Sequence, residues 1–237
     1  HPDPDTFVHA FAGTNRFILD FLIEEVLAHE PQEVQDFLLR TSVLTRLCGP
    51  LCDAVTGCDV VTGRYAGAGG PGGQAMLERL ERHNLFLVPL DDERRWYRYH
   101  HLFADLLGTR LRQAGDAAGI PALYRRAATW CDENRLPAEA VNYVLRAEDG
   151  PLAGDLVARW WGPTAAVGEI ETVGAWLAAL PVEIVNGSVP LSVACCWVHW
   201  LNGEMGAIEP HLVHATAALA RAAEVTDSTL PAQVAAL

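Results

Sequence analysis

Two adjacent histidines, His100 and His101, are the residues of this sequence best placed to do chemistry. They follow the β-prone run RWYRYH (95–100) and begin a segment with helical spacing. The N-terminus of a helix attracts anions, and an imidazole there can donate a hydrogen bond to a phosphate oxygen. Two interpretations stay open: a phosphate-sensing histidine, or a pair that caps and packs the strand–helix junction. Spacing alone favours packing.

A glycine-rich stretch, GAGGPGG at 67–73, is a second candidate for phosphate binding. A phosphate-binding loop needs glycines followed by Lys and then Ser or Thr at the start of a helix. Here Gln74, Ala75 and Met76 follow, and the whole chain lacks Lys. We therefore predict a flexible insertion between two helices rather than a nucleotide site.

The six cysteines do not suggest a metal centre or a disulfide framework. Cys48, Cys52 and Cys58 lie close together, but no fourth ligand follows at a spacing typical of zinc. Cys195 and Cys196 lie in the most apolar segment of the chain. We predict reduced thiols that pack as small hydrophobic side chains, and no metal. No nucleophile–base arrangement or pair of carboxylates stands out, so we do not expect an enzyme.

The composition favours a folded, acidic protein. The 237 residues are 50% hydrophobic, and the formal net charge is −13. Such a surface repels phosphate backbones, which argues against a nucleic-acid-binding body. The longest apolar stretch, LSVACCWVHWL at 191–201, is too short to span a bilayer, so no membrane contact is expected. The chain starts without Met or a signal peptide, and we expect an internal piece of a longer protein.

Two zones of charge and periodicity precede the C-terminal half. Residues 1–32 have a net charge of −5 and predict a helix that begins at Thr14 or Asn15 and ends near Pro31. Residues 33–114 are neutral overall. They predict three helices, a β-hairpin and a fourth helix, at 33–47, 50–57, 74–84, 85–100 and 101–113. Three helices followed by a hairpin is the order of a winged-helix domain.

Residues 115–237 have a net charge of −8 and predict helices throughout. The segments are 121–133, 137–147, 152–161, 170–180, 191–201 and 206–220. Val141, Val173 and Ile208 occupy like positions at separations of 32 and 35 residues, close to the period of TPR-like solenoids. An irregular bundle is the alternative. The tryptophans are expected mostly in the core, and the helix at 191–201, which is apolar nearly all round, is expected to be buried.

Four strings resemble the large ATP-binding LuxR-type regulators, which are signal-transduction ATPases with numerous domains. They are FAGTNRFILDFLIEEVL (11–27), VQDFLLRTSVLTRLCGPLCDAVTG (34–57), MLERLERHNLFLVPLDDERRWYRYHHLFADLL (76–107) and LYRRAATWCDENRLPAEAVNYVLRAED (123–149). The resemblance implies a mainly α fold with three parts. These are the helical tail of a nucleotide-binding region at 1–32, a winged-helix domain with a small β-hairpin at 33–114, and the start of a TPR-like helical-repeat array at 115–237.

The resemblance also assigns His100 a role. In the family, a YHPLF motif supplies a histidine that touches the β-phosphate of ADP, and here the motif reads Tyr99-His100-His101-Leu102-Phe103. His100 is thus the candidate nucleotide-sensing residue, although His101 stands where the family has Pro. The resemblance reverses the preference that spacing alone gave.

Further expectations about the parent protein follow from the resemblance. The parent would be a slow, cytoplasmic signalling ATPase that binds ATP or ADP, whereas the fragment lacks the phosphate loop and would bind neither tightly. Its partners would be its own nucleotide-binding domain, an inducer or regulatory protein at the helical repeats, and further copies of itself. DNA would be bound through a C-terminal domain that is absent here.

Two rival functions remain. The first is a winged-helix DNA-binding module joined to a helical-repeat protein-interaction domain, but the charges of the third helix and the wing nearly cancel. The second is an independent enzyme, for which the sequence supplies no assembled set of catalytic groups.

Overall fold

The structure is a computed structural model that describes residues 27–59, 64–65, 72–114 and 119–220. The predicted helix from Thr14 or Asn15 lies outside the described residues except for 27–29, which are helical. Most of the glycine-rich stretch at 67–73 also lies outside them. The chain divides into two units, His1–Ala127 and Ala128–Leu237. Both are mainly helical, and the first contains small antiparallel β-pairs, so the predicted fold class is confirmed.

The first unit has the predicted order of helices and strands. The elements are α1 (Gln32–Thr41), α2 (Gly49–Thr56), β1 (Cys58–Asp59), β2 (Arg64–Tyr65), α3 (Gly73–Arg82), β3 (Leu87–Pro89), β4 (Tyr97–Tyr99) and α4 (His101–Gln113). β3 and β4 form the wing hairpin, in which Leu87 faces Tyr99 and Pro89 faces Tyr97. The short pair of β1 with β2, between α2 and α3, was not predicted.

Helix α1 is shorter than the predicted segment 33–47. Its buried face ends at Thr41, and the chain then turns into an extended segment at Leu47. The backbone N–H of Leu47 donates to the carbonyl of Tyr97 at 2.7 Å, and the N–H of Tyr97 donates back at 2.8 Å. Leu47 thus acts as a one-residue third strand beside the wing, and this pairing across the domain ends the helical segment.

Helices α2 and α3 pack closely through two glycines. A Cβ atom on Gly73 would lie 2.5 Å from the carbonyl oxygen of Gly49, so only a residue without a side chain fits. The N–H of Gly73 donates to the carboxylate of Asp53 at 2.6 Å, which fixes the start of α3 against α2. As predicted, α2 has Pro50 in its first turn and ends at Gly57, whose φ of 77° places it in the left-handed region.

The second unit is a succession of packed helices. Helix α5 (Ile120–Glu133) contains the sequence boundary between the units, and the elements after it are α6 (Pro137–Arg146), α7 (Gly150–Ala166), α8 (Ile170–Ala179), α9 (Val182–Gly187), α10 (Val189–Leu201) and a 3-10 turn at Met205–Ala207. A further helix, α11, covers 208–220. Helix α6 packs on α7, α7 on α8, and α10 on both α7 and α8. That these helices form TPR-like repeats stays a prediction.

Two predictions about burial in this unit are wrong. Helix α10 is not buried on all sides, because Trp197 and Trp200 are 47% and 51% exposed. The tryptophans of this unit are not mostly in the core either, because Trp176 is buried whereas Trp130, Trp160 and Trp161 are only half-buried. Apolar periodicity identifies the stripe of a helix but not which neighbour, if any, covers it. No helix among the described residues is long and apolar enough to cross a membrane.

Candidate functional site

His100 lies at the point where the wing hairpin becomes helix α4. Its N–H donates to the carbonyl of Phe86 at 2.8 Å, which extends the hairpin by one step beyond the Leu87–Tyr99 pair. Its own carbonyl accepts from the N–H of Ala104 at 3.0 Å, which is the first helical hydrogen bond of α4. The backbone of His100 is therefore held on both sides by secondary structure, with φ −57° and ψ 136°.

An aromatic cluster beneath the junction fixes its position. Phe103, in the first turn of α4, is almost completely buried. Its ring centroid lies 5.2 Å from that of Phe86 and 5.6 Å from that of Tyr99, the latter in an edge-on arrangement. Such pairs add about 1 kcal/mol beyond the burial of area. The cluster keeps both the end of the hairpin and the start of α4 in place.

The two histidine side chains lie in solvent above this cluster. Both residues are exposed, and their ring centroids are 4.4 Å apart with the planes tilted by 31°. The aromatic core, not the histidine pair, therefore packs the junction. An exposed imidazole beside the first N–H groups of a helix is suited to receive an anionic oxygen, because both the ring N–H and the helix dipole favour negative charge.

The basic residues of α3 and the wing are largely paired with acids. Arg79 forms an ion pair with Glu33 at 3.2 Å, and Arg94 forms one with Glu81 at 3.5 Å. The hydroxyl of Tyr97 also donates to Glu81, at 3.3 Å. This face therefore has mixed charge rather than the excess of free cations typical of a helix that reads DNA.

The predicted packing of the cysteines is confirmed where they are described. Cys48 and Cys52 are buried, and burial raises the pKa of both thiols. Burial also raises the pKa of Cys195 to about 11, with a further contribution from Cys196. Cys196 is half-buried, and the side chain of Cys58 lies outside the described residues. The buried thiols of Cys48, Cys52 and Cys195 are therefore protonated at neutral pH, which is the less reactive form of a cysteine.

Sequence reasoning missed a histidine cluster in the second unit. The Nδ1 atom of His199 lies 2.6 Å from the carboxylate of Glu204. The ring of His199 stacks on that of His211 with centroids 5.2 Å apart, and His211 meets His214 edge-on at 6.3 Å. One signal was available, since positions 211 and 214 share a face of any helix. The placement of His199 beside them depends on how α10 packs.

Comparison with known proteins identifies the first unit. Residues 23–118 match the family model of the MalT winged-helix domain. The chain is 32% identical over 227 residues to the HTH-type transcriptional regulator MalT of Serratia proteamaculans, which covers 95% of this chain and 24% of the relative. The corresponding protein of Yersinia enterocolitica is 30% identical over the same share of each chain.

A relative that is named as a kinase, and not as a transcriptional regulator, also matches most of this chain. The serine/threonine-protein kinase PknK of Mycobacterium tuberculosis is 33% identical over 199 residues, which is 84% of this chain and 17% of the relative. The chain thus spans a quarter or less of the length of the relatives named here. It matches a region common to regulators of transcription and to a kinase.

Proposed function

The chain belongs to the family of proteins that carry the MalT winged-helix domain, and on this premise we propose that it is the central part of an ATP-dependent, cytoplasmic LuxR-type transcriptional regulator. In this role it couples the nucleotide state of the parent protein to inducer sensing and self-association. It transmits a signal and does not catalyse a reaction. The phosphate-binding loop and the DNA-binding domain belong to other parts of the parent.

The exposed position of His100 carries this proposal. Its backbone is fixed by the hydrogen bonds to Phe86 and Ala104, and its imidazole projects from the first unit beside the N-terminus of α4. A side chain on a backbone held in this way can bridge to a phosphate of a nucleotide bound by a neighbouring domain, and only the rotamer freedom of the side chain is lost on binding. The same geometry would be of no use if the ring were enclosed in the core.

The mechanism is a shift between two states of the parent. ADP that bridges the nucleotide-binding domain and His100 stabilises a closed state. Inducer at the helical unit and exchange of ADP for ATP favour an open state that self-associates. The coupling is reciprocal, so an inducer that favours the open state must also weaken the retention of ADP.

The relatives support a transmitting role. One is named as a kinase and the others as transcriptional regulators, yet each shares this region with the chain. Proteins with different outputs would share a module that processes the input. We therefore keep the division into a tail of the nucleotide-binding region at 1–32, the winged-helix domain at 33–114 and a TPR-like array from 115 onward as part of the proposal.

The test is the substitution His100→Ala in the full-length parent. Loss of one hydrogen bond to a charged phosphate should weaken ADP binding by about tenfold and raise transcription in the absence of inducer. ADP affinity is measured by equilibrium dialysis, and basal activity with a reporter gene. The matched control is His101→Ala, which removes an equally exposed neighbouring ring and should leave both readouts near those of the parent.

Unchanged ADP affinity and basal activity in His100→Ala would contradict the proposal. An effect of His101→Ala larger than that of His100→Ala would transfer the role to the neighbouring ring. Thermal unfolding of both variants checks that the fold is retained, which is expected because both side chains are exposed.

The DNA-binding alternative makes a different prediction. The ion pairs of Arg79 and Arg94 leave the face of α3 and the wing with mixed charge. A gel-shift experiment at low salt should therefore show no complex between this chain and duplex DNA. A complex that weakens steeply as salt increases would favour the alternative, because release of counterions marks contacts to phosphate.

A further inference from the structure

We propose that the second unit contains a small-molecule site that binds a compact monocarboxylic acid. The site is a cavity of about 350 Å³, partly open to solvent, that is lined by residues of α8, α9, α10 and the first turn of α11. This inference deepens the proposed function, since it names a chemical class for the inducer that the helical unit would receive.

The walls of the cavity are mostly aliphatic. They are formed by Leu177, Leu180, Val182, Val185 and Val198. Gly174 and Ala178 also line the cavity, and their small size leaves room inside it. A volume of this size lies at the lower end of the range found for ligand sites, which are typically apolar clefts with few polar groups. The hydrocarbon body of a ligand would gain from contact with these walls.

Three polar side chains line the cavity: Asn186 on α9, and two histidines that lie together where α10 meets α11. His199 and His211 both line it, and their rings stack on each other. The partner of His199 is Glu204, so a charge on that imidazole is already balanced. His211 has instead the rings of His199 and His214 as neighbours, and the buried Nδ1 atoms of His211 and His214 have no hydrogen-bond partner among the described residues.

The cluster therefore has more imidazoles than carboxylates. Three imidazoles share the single carboxylate of Glu204. Burial lowers the pKa of His211, and the neighbouring His199 and His214 lower it further. A carboxylate bound beside His211 would reverse this effect, because an adjacent negative charge stabilises the protonated ring. Binding of the acid would thus be accompanied by uptake of a proton.

Other classes of ligand fit the cavity less well. A sugar or another polyhydroxylated compound would leave hydroxyl groups without partners against the aliphatic walls, which is costly. An amine would find no carboxylate among the residues that line the cavity. A metal ion is not favoured either, because no group of three His, Cys, Asp or Glu side chains in the described part of the chain is arranged to hold one. One carboxylate on a hydrocarbon body matches both sides of the cavity.

The experiment compares two probes by isothermal titration calorimetry on the full chain. Phenylacetate carries the carboxylate, and 2-phenylethanol is the neutral alcohol with the same carbon skeleton. Phenylacetate should bind at least about tenfold more tightly, as expected for one charge-assisted hydrogen bond. Titration in two buffers with different enthalpies of ionisation should also show proton uptake with phenylacetate alone.

Three variants locate the site. His211→Phe keeps an aromatic ring but cannot carry a charge, and it should abolish the preference for the acid. The same substitution at the exposed His83, in the other unit, should change nothing. Ala178→Leu adds bulk at an exposed residue that lines the cavity, so it should block both probes without disturbing the histidines.

The inference is overturned by any of three results: no binding of phenylacetate at millimolar concentration, equal affinity for the two probes, or an unchanged preference in His211→Phe. If His211→Phe fails to fold, Ala178→Leu decides, because undiminished binding to that variant excludes the cavity. Both experiments use this chain alone and do not involve ADP. Their failure is therefore distinct from a failure of the His100 test in the parent.

Discussion

The hydroxyl groups of Thr41 and Tyr99 lie 2.7 Å apart in the buried interior of the first unit. Thr41 also donates to the carbonyl of Phe37 at 2.7 Å, so the hydroxyl of Tyr99 is the donor between the two side chains. This hydrogen bond joins the end of α1 to the last residue of β4. The next residue along the chain is His100, so the contact helps to hold the candidate sensor on the domain.

The first prediction tests this contact through stability. Tyr99→Phe should lower the free energy of unfolding by about 1 kcal/mol, because one buried hydrogen bond is lost while Thr41 keeps its bond to Phe37. Thr41→Val should lower the free energy of unfolding by more, because both the Tyr99 hydroxyl and the Phe37 carbonyl lose their hydrogen bond to the Thr41 hydroxyl. Urea denaturation of both variants and of the double variant measures the coupling. Strictly additive effects would show that the two hydroxyls do not interact.

The second prediction concerns the crossing of α2 and α3. Gly73→Ala should destabilise the first unit by roughly 1–3 kcal/mol, because its Cβ would overlap the carbonyl of Gly49 and force the helices apart. The matched control is Gly108→Ala in the interior of α4, where the new Cβ would lie 3.6 Å from the guanidinium of Arg112. The Gly108→Ala variant should be more stable to unfolding by roughly 0.5–1 kcal/mol, because Ala has a higher helix propensity than Gly. Equal changes in thermal stability would contradict the close packing at Gly73.

The third prediction concerns Asp132, which joins α5 to α7. One of its carboxylate oxygens accepts from the indole N–H of Trp160 at 2.7 Å, and the other forms an ion pair with Arg159. The Asp132 side chain is only 17% exposed. Asp132→Ala should therefore lower the free energy of unfolding by roughly 1.5–3 kcal/mol. The variant loses hydrogen bonds to a charged group and leaves the indole N–H of Trp160 without its acceptor.

An exposed ion pair provides the control for Asp132. Glu93 and Arg95 form a salt bridge in the wing, with both side chains largely in solvent. Glu93→Ala should change stability by less than about 0.5 kcal/mol, because solvent screens such pairs. Chemical denaturation of both variants tests the difference. A similar cost at the two positions would show that the partial burial of Asp132 adds nothing.

The fourth prediction concerns the reactivity of Cys195. With a pKa of about 11, only about one molecule in a thousand carries the thiolate at pH 8. Alkylation of the native protein by iodoacetamide should therefore be slow at pH 7.5 and rise about tenfold per pH unit up to the pKa, since the thiolate is the nucleophile. Peptide mass spectrometry follows the modification, and circular dichroism checks the fold at high pH.

Cys196 provides the internal reference for Cys195. It is half-buried, and it should react first. Cys196→Ser removes the competing thiol and allows the rate at Cys195 to be measured alone. Fast modification of Cys195 at neutral pH would mean that α10 opens readily or that the thiol is not buried.

The order and type of the elements could be predicted from the sequence because they depend on local information. Helical spacing, Pro50 and Gly57 set the limits of α2 within one residue, and the two β-prone runs around a polar turn set the wing. The position of His100 between strand and helix followed in the same way. The conformation of each of these segments is determined by residues within a few positions of one another.

Features that depend on distant residues could not be predicted from such patterns. Helix α1 ends early because Leu47 pairs with Tyr97, fifty positions further along the chain. The exposure of Trp197 and Trp200 depends on what packs against α10. His199 and His211 come together because α10 and α11 pack side by side around the cavity.

The sequence by itself thus determined which segments are helices or strands and where a histidine enters α4. Only the tertiary structure decided which faces are buried, that His100 is exposed above an aromatic cluster, and that a histidine cluster borders a cavity. The physical reason is that backbone conformation responds to near neighbours along the chain. Burial and the meeting of side chains are set by packing between segments far apart in sequence.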